Sequence, residues 1–256
     1  MKISIVTATY NSARTLSDTL DSILRQTHHD YEVVIQDGMS TDDTLRIARE
    51  YEPRFNGRMC IYSEKDSGLY DAMNRGIAHA TGEVVGILNS DDFYADDHVL
   101  EWISEAFEQG GIDCTFADLV YVRAADTTQV VRHWQGSPYT QGAFSRGWHP
   151  AHPTFYVKRE LLVRYGAFDT SFAVSADFEL MLRLIEKHQL RSRYLPHCLV
   201  RMREGGESNG TLHNVIRGNR NIMRAFRKNS VPVSCLYPVR RLLPKIAERI
   251  KSYLFN

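Results

Sequence analysis

Four short strand-like runs in the first 88 residues, each closing on a polar turn and followed by a helical pattern, limit this chain to very few folds. The runs are Ile3–Val6, Tyr31–Ile35, Met59–Ser63 and Val84–Leu88. Between them, Ser12 is placed to cap a helix reaching about Arg25, whose Leu16, Leu20, Ile23 and Leu24 fall on one stripe. Ser40 or Thr41 precedes a second helix, Asp43 to about Tyr51, and Tyr70–Ala80 reads as a third. This alternation predicts an α/β domain, with a Rossmann-like, mostly parallel sheet and helices on both faces. Ligands of such sheets bind beyond the carboxyl ends of the strands, where Asn11, Asp37, Asp66 and the pair Asp91 and Asp92 fall.

The fourth run carries the sharpest chemical signal. Val84 to Leu88 reads as a buried strand that breaks off into Asn89, Ser90, Asp91 and Asp92. Adjacent carboxylates at the mouth of a buried strand repel each other, which calls for a cation between them. A hard divalent ion, Mn²⁺ or Mg²⁺, bridging to a diphosphate satisfies that demand with few protein ligands. The competing reading is a solvated acidic turn capping the helix predicted over Asp96–Phe107.

The second half is less regular. Gly110 and Gly111 break that helix, Cys114–Val122 reads as a strand, and Gln129–Trp134 reads as its hairpin return. Residues 137–153 are rich in Gly, Pro, His and aromatics, as in a long surface loop that carries function. Ala176–Lys187 is predicted as one helix, with Phe178, Leu182 and Ile185 on a common face.

Several phrases, taken together, resemble the family 2 glycosyltransferases of the GT-A fold, of the type that builds bacterial surface polysaccharides. They are V-T-A-T-Y-N at Val6–Asn11, Q-D-G-M-S-T-D-D-T at Gln36–Thr44, D-S-G-L-Y-D-A-M-N-R-G-I at Asp66–Ile77, L-N-S-D-D at Leu88–Asp92 and S-A-D-F-E-L-M-L-R-L at Ser175–Leu184. Their order and spacing match over roughly Met1 to Arg203. The resemblance implies an inverting, metal-dependent enzyme that moves a sugar from a nucleotide-sugar donor, a UDP-sugar, to a hydroxyl of a glycan or lipid-linked acceptor.

Residue by residue, the resemblance implies donor contacts at Thr7, Thr9, Tyr10, Asn11, Asp37, Asp66, Asn74, Arg75 and Asp91, with Tyr70 in the same donor-side segment. It gives Asp92 to the metal and Asp91 to the metal shell or the ribose, while Asn89 stands where many relatives carry a third acid. Asp177 matches the general base, which must reach the acceptor hydroxyl opposite the leaving group. The preceding acid usual in the family is here Ala176. Trp148 offers an aromatic face to an acceptor sugar, and His152 is a second acceptor-side candidate, with His149 beside them. Two readings stand for Arg75, a donor contact or a solvated helix face. Arg183 could meet the diphosphate or pair with Glu179 four residues back.

Charge divides the chain unevenly although the total is +0. From Thr211 to Asn256 there are ten basic residues and one acidic, a net +9, leaving −9 on the remainder. Asn209–Lys228 reads as a helix with Arg217, Arg220, Arg224 and Arg227 on one stripe. Val239 to Leu254 repeats an apolar stripe flanked by Arg and Lys, broken or begun at Pro244. This basic, amphipathic helical tail is expected to meet an anionic membrane surface, with packing on protein as the rival.

The organisation expected is a nucleotide-sugar-binding half over 1–95, an acceptor-binding half over 96–208 and the tail over 209–256. Four scattered cysteines without a CxxC signal neither zinc nor a disulfide frame. Ile3–Tyr10 is too short and polar for a signal peptide, and no window suits a membrane span. A cytoplasmic protein, peripheral on the inner face of the membrane, is the expectation. A sugar nucleotidyltransferase would need a Gly-rich loop with a following Lys near the first strand, which is lacking. A silent nucleotide-sugar-binding scaffold is disfavoured by Asp37, Asp91, Asp92 and Asp177 together. Nucleic-acid binding is not expected, because the tail lacks interleaved aromatics and a known motif.

Overall fold

A computed structural model describes residues 1–205 and 212–238. The strands are β1 (Ile3–Thr9), β2 (Tyr31–Asp37), β3 (Met59–Ser63), β4 (Val84–Ile87), β5 (Phe93–Tyr94), β6 (Cys114–Arg123), β7 (Asp126–Trp134), β8 (Tyr156–Lys158) and β9 (Ser192–Arg203). The α-helices are α1 (Leu16–Leu24), α2 (Thr44–Tyr51), α3 (Leu69–His79), α4 (Val99–Glu108), α5 (Arg159–Tyr165), α6 (Ala176–Met181) and α7 (Leu212–Lys228). Among the described residues the strands form one sheet in the order β3-β2-β1-β4-β8-β6-β9-β5, with β7 paired to β6.

The first four strands run parallel, as the alternation predicts. Beyond β4 the sheet turns mixed: β8 is antiparallel to both β4 and β6, whereas β6 and β9 are parallel. Helices cover both faces of the sheet. Side-chain alternation divides each strand between two cores. Ile3 and Ile5 of β1, Val33 and Ile35 of β2 and Val84 of β4 pack with Leu16 and Leu20 of α1 and Val99 and Ile103 of α4. Val6 and Ala8, Val34, and Val85 and Ile87 turn the other way, towards Met73 of α3, Phe178 of α6 and Phe226 of α7.

Two local expectations need correction, and one strand escapes the sequence reading. Ser12 does not cap α1, which begins at Leu16; the backbone carbonyl of Ser12 instead closes a turn on the amides of Thr15 and Leu16. The helix predicted over Ala176–Lys187 divides into α6 and a π-helical turn, Leu182–Lys187. The twelve-residue β9, paired along β6, carries no clear alternation in its sequence.

The basic helix is present as α7, and two of its cations are already engaged. Arg224 donates to the Ser171 carbonyl at 2.9 Å and lies 4.4 Å over the Phe172 ring, while Lys228 pairs with Asp169. Arg217, Arg220 and Arg227 remain exposed. The second stripe, Val239 to Leu254, lies outside the described residues, as does 206–211. No described helix is long and apolar enough to cross a membrane.

Gly86 marks a tight joint between β4 and β8. A Cβ there would stand 2.1 Å from a Tyr156 ring carbon, and the Tyr156 hydroxyl is tied at 2.6 Å to that of Tyr94. Overpacking a core of this density costs about 1–3 kcal/mol, so Gly86→Ala should lower the unfolding free energy by that amount, seen as a lower denaturant midpoint with an unchanged slope. Urea unfolding followed by fluorescence checks it.

Candidate active site

The carboxyl ends of β1, β2 and β3 are tied together by one buried carboxylate. Asp37 accepts from Thr9 Oγ1 at 3.1 Å, Ser63 Oγ at 2.8 Å, the Ser40 amide at 3.0 Å and the Ser40 hydroxyl. Asp37 is fully buried, so it organises the turn from within instead of presenting its oxygens at the surface. Thr9 is buried with it, and Thr7 hides its hydroxyl in the core without a hydrogen-bond partner. The two threonines lie on one strand face, and of their hydroxyls only that of Thr9 reaches Asp37.

Beyond these strand ends the chain is open. Tyr10 is 66% exposed, Met39 56% and Leu69 47%. Asn11 adopts a left-handed backbone (φ 51°), with its amide on Ser40 Oγ at 2.9 Å and its side-chain oxygen receiving the Thr41 amide at 2.9 Å. Gly38 leaves room for Asp66: a Cβ there would meet Asp66 Oδ2 at 2.5 Å and the Tyr10 ring at 3.5 Å. Asp66 Oδ1 accepts the Gly68 amide at 2.9 Å, which fixes the carboxylate at the entry to α3. A half-exposed carboxylate thus stands beside exposed apolar groups.

The turn after β4 separates its two acids. Asp92 is fully buried, with one oxygen held by Asn89 Nδ2 at 2.9 Å and the other by the Arg203 amide at 3.2 Å. The metal role expected for Asp92 meets a closed carboxylate, and Asp91, half-buried at the mouth, is the one left open. Arg203, itself 7% exposed, grips this turn: its guanidinium donates to the Asp91 carbonyl and to the Asp18 carboxylate of α1 and lies 5.0 Å over Phe93. Ser12 and Ser90 join their hydroxyls at 2.8 Å, linking the β1 and β4 turns. Burial raises the Asp91 carboxyl, against the pull of its own backbone N–H and the Arg203 charge. A cation placed against Asp91 would relieve that burden, and carboxylate oxygen is the donor type that hard divalent ions take. The described residues hold no cluster of three His, Cys, Asp or Glu able to cage a metal. The donor set therefore fits an ion shared with a substrate diphosphate, not one held by protein alone.

Asp177, in the first turn of α6, comes to the same side of the sheet. Tyr70, in the first turn of α3, donates its hydroxyl to Asp177 Oδ1 at 3.2 Å across 107 residues of sequence. Burial and then the Asp177 charge push the phenol far above its usual range, while the backbone N–H groups of Asp177 and Ala176 pull it back. His152 lies buried beside them; desolvation lowers its imidazole, and the Asp177 charge opposes the drop. The Phe168 ring stands between Tyr70 and His152, with its centroid 5.3 Å from each.

Other expected site residues have internal employment. Asn74 clasps the Phe168 backbone at both ends of its amide, donating to the carbonyl and accepting from the N–H at 2.8 Å each. Arg75 pairs with Glu64 at 2.9 Å and Asp71 at 3.2 Å. Arg183 pairs with buried Glu179 at 3.0 Å and donates to the carbonyls of Tyr165, Gly166 and Ala167. Trp148 is half-buried among Phe116, Phe144 and Tyr139, and His149 packs edge-on to Trp134 and Phe178. A cleft of about 360 Å³ lined by Tyr165, Phe168, Glu179, Arg183 and Lys228 contains neither Asp91 nor Asp177. Sequence reasoning missed Arg203 and Phe168, whose only local signals are a charge ending a strand and an unremarkable aromatic.

The sequence model of the family described as Glycosyl transferase family 2 matches residues 4–163. The PGL/p-HBAD biosynthesis glycosyltransferase of Mycobacterium tuberculosis is 33% identical over 209 residues, which cover 80% of this chain and 78% of the relative. Among solved structures, S. aureus TarS in complex with UDP superposes with a TM-score of 0.67 at 18% identity, covering 94% of this chain and 68% of that one. The mannosyltransferase PcManGT from Pyrobaculum calidifontis, in complex with GDP-Man and Mn²⁺, gives 0.66 at 24% identity, covering 94% and 67%.

Burial lifts the Asp92 carboxyl to about 7, and the Asp91 charge adds to the lift. A folded pKa above the unfolded value gives stability that is full below about pH 4 and lost as pH rises through about 7. In chelator-treated protein, the melting temperature of the wild type relative to Asp92→Asn should therefore be highest near pH 4 and decline towards pH 7. Thermal scans of the two proteins in parallel check this.

Proposed function

The chain belongs to glycosyltransferase family 2 and is a glycosyltransferase, and on that footing we propose that it carries a sugar from a UDP-sugar to a hydroxyl of a glycan or lipid-linked acceptor, with inversion at the anomeric carbon. One observation carries the reading: Tyr70, on the donor-side helix α3, is hydrogen-bonded to the candidate base Asp177, so donor segment and base share one mouth. The exposed Tyr10, Met39 and Leu69 beside Asp66 suit the face of a nucleobase, and the Asp66 carboxylate suits a base N–H at its edge. Uracil satisfies that pattern. Guanine offers N–H groups too, and relatives of this fold have been crystallised with UDP-GlcNAc as well as GDP-Man.

In this reading Asp91 would hold Mn²⁺ or Mg²⁺, which when bound would supply positive charge to stabilise the diphosphate leaving group. The chain's own residues do the rest. Asp92, Asn89 and Arg203 hold the turn that presents Asp91. Asp177 takes the proton of the acceptor hydroxyl through the oxygen that Tyr70 does not hold. The aromatic wall around Trp148 gives an acceptor ring a surface to lie on, and His152 backs the base.

The acceptor class rests on what relatives do. The mycobacterial relative is named for PGL/p-HBAD biosynthesis, which favours a glycolipid or surface-glycan acceptor. Exposed Arg217, Arg220 and Arg227 on α7 favour contact with the anionic inner face of a membrane, where a lipid-linked acceptor would be met.

Calorimetric titration with UDP tests the donor half. Mn²⁺ should tighten binding, and Asp91→Asn should abolish that gain, a loss of about tenfold or more for removal of a charge-assisted contact. Asp177→Asn should bind UDP as the wild type does but lose about 10²–10⁴ in turnover. Binding of GDP in place of UDP would move the donor to the guanine series, and no nucleotide binding by folded protein would defeat the reading.

A further inference from the structure

We infer that the phenol of Tyr70 is a positioning residue for sugar transfer, holding one oxygen of Asp177 so that the other faces the acceptor; this rests on Asp177 being the base. Tyr70 and Asp177 belong to opposite halves of the fold. The Tyr70 hydroxyl makes a single-atom bridge between them at 3.2 Å, in a site where the phenol is largely shielded from water. The direction of the bond follows from its two partners. The phenol O–H donates and the carboxylate oxygen, which carries no proton to give, accepts.

The ring that carries this hydroxyl is held on more than one side. Phe168 packs against it at 5.3 Å, and Asn74, four residues further along α3, pins the Phe168 backbone with two hydrogen bonds of 2.8 Å. His152 also packs on Phe168, edge to ring, with the centroids 5.3 Å apart. Asn74 thus serves the same purpose as Tyr70 at one remove, by fixing the wall against which the phenol rests. A carboxylate on the first turn of a six-residue helix, preceded by Ser175 in a left-handed conformation (φ 70°), has freedom in its side-chain torsions. The Tyr70 bond selects one of them. Because Tyr70 also begins the helix entered past Asp66, the geometry of the base is set by the segment that would meet the donor.

The test compares Tyr70→Phe with Asp177→Asn and the wild type. It uses nucleotide release from UDP-GlcNAc and other UDP-sugars, with water as acceptor, together with UDP titration. Tyr70→Phe keeps the ring packing and removes only the hydroxyl. The expected result is a fall in kcat of about tenfold to a hundredfold, with donor KM and UDP affinity within about twofold of wild type. The double variant should be no slower than Asp177→Asn alone, since a residue acting through another has nothing left to act on. Unchanged kcat in Tyr70→Phe, with Asp177→Asn inactive, would overturn the inference and leave the base in place. A parallel loss of UDP affinity would also overturn it, by assigning the phenol to donor binding. Full activity in Asp177→Asn would instead defeat the base itself, and the inference with it. A Phe168→Leu variant, expected to lower both the melting temperature and kcat, separates lost packing from the lost hydrogen bond.

Discussion

The carboxylate of Asp92 is the joint on which the site depends. It lies at the end of β4, yet its two oxygens are satisfied by Asn89 in its own turn and by the backbone of Arg203 at the far end of β9. The backbone carbonyl of the same residue receives Thr19 Oγ1 of α1 at 2.7 Å. One buried residue therefore joins the turn after β4, the helix α1 and the end of β9. A carboxylate removed from water demands full pairing, and that demand fixes the turn. The reward appears next door, because once Asp92 points inward, Asp91 must point out.

Asp37 obeys the same logic on the donor side. Its four donors come from three separate segments, β1, the turn after β2, and β3, so their ends cannot drift apart without exposing a buried charge. The polar groups that sequence inspection would hand to the substrate are in large part spent on holding the backbone still. What reaches the open mouth is fewer and less conspicuous: Tyr10, Asp66, Asp91 and Asp177. Preorganisation of this kind puts rigid support beneath groups that must act without rearranging.

The first four strands and three helices are legible in the chain because each rests on a local period, two for the strands and 3.6 for the helices. Asp37, Asp66 and the acids after β4 are legible as strand-end residues for the same reason. Which of two adjacent acids turns inward is not a local property. It is settled by an amide 111 residues away. Asn74 could be located on α3 from sequence, but its partner Phe168 lies 94 residues on, so its use as a clasp leaves no trace nearby. The strand β9 escapes notice because Arg193, Pro196, His197 and Arg201 interrupt any alternation; its place is won by pairing along β6, with register shifts around Asp118. The split of Ala176–Lys187 into α6 and a π-helical turn likewise depends on Arg183, whose guanidinium is drawn to three carbonyls ahead of the helix.

Ala176 shows how the acceptor side has been adjusted to its neighbours. Relatives with an acid before the base carry a second charge on this turn, whereas here the position is fully buried and its methyl group packs in the core. A carboxylate with that burial would need partners the core does not supply, and it would repel Asp177 across a single residue. The alanine removes both costs. It also leaves Asp177 with uncharged support, the Tyr70 phenol on one oxygen and the buried, neutral-leaning His152 nearby. The missing acid is therefore consistent with an active site whose remaining carboxylate has been given a different set of companions.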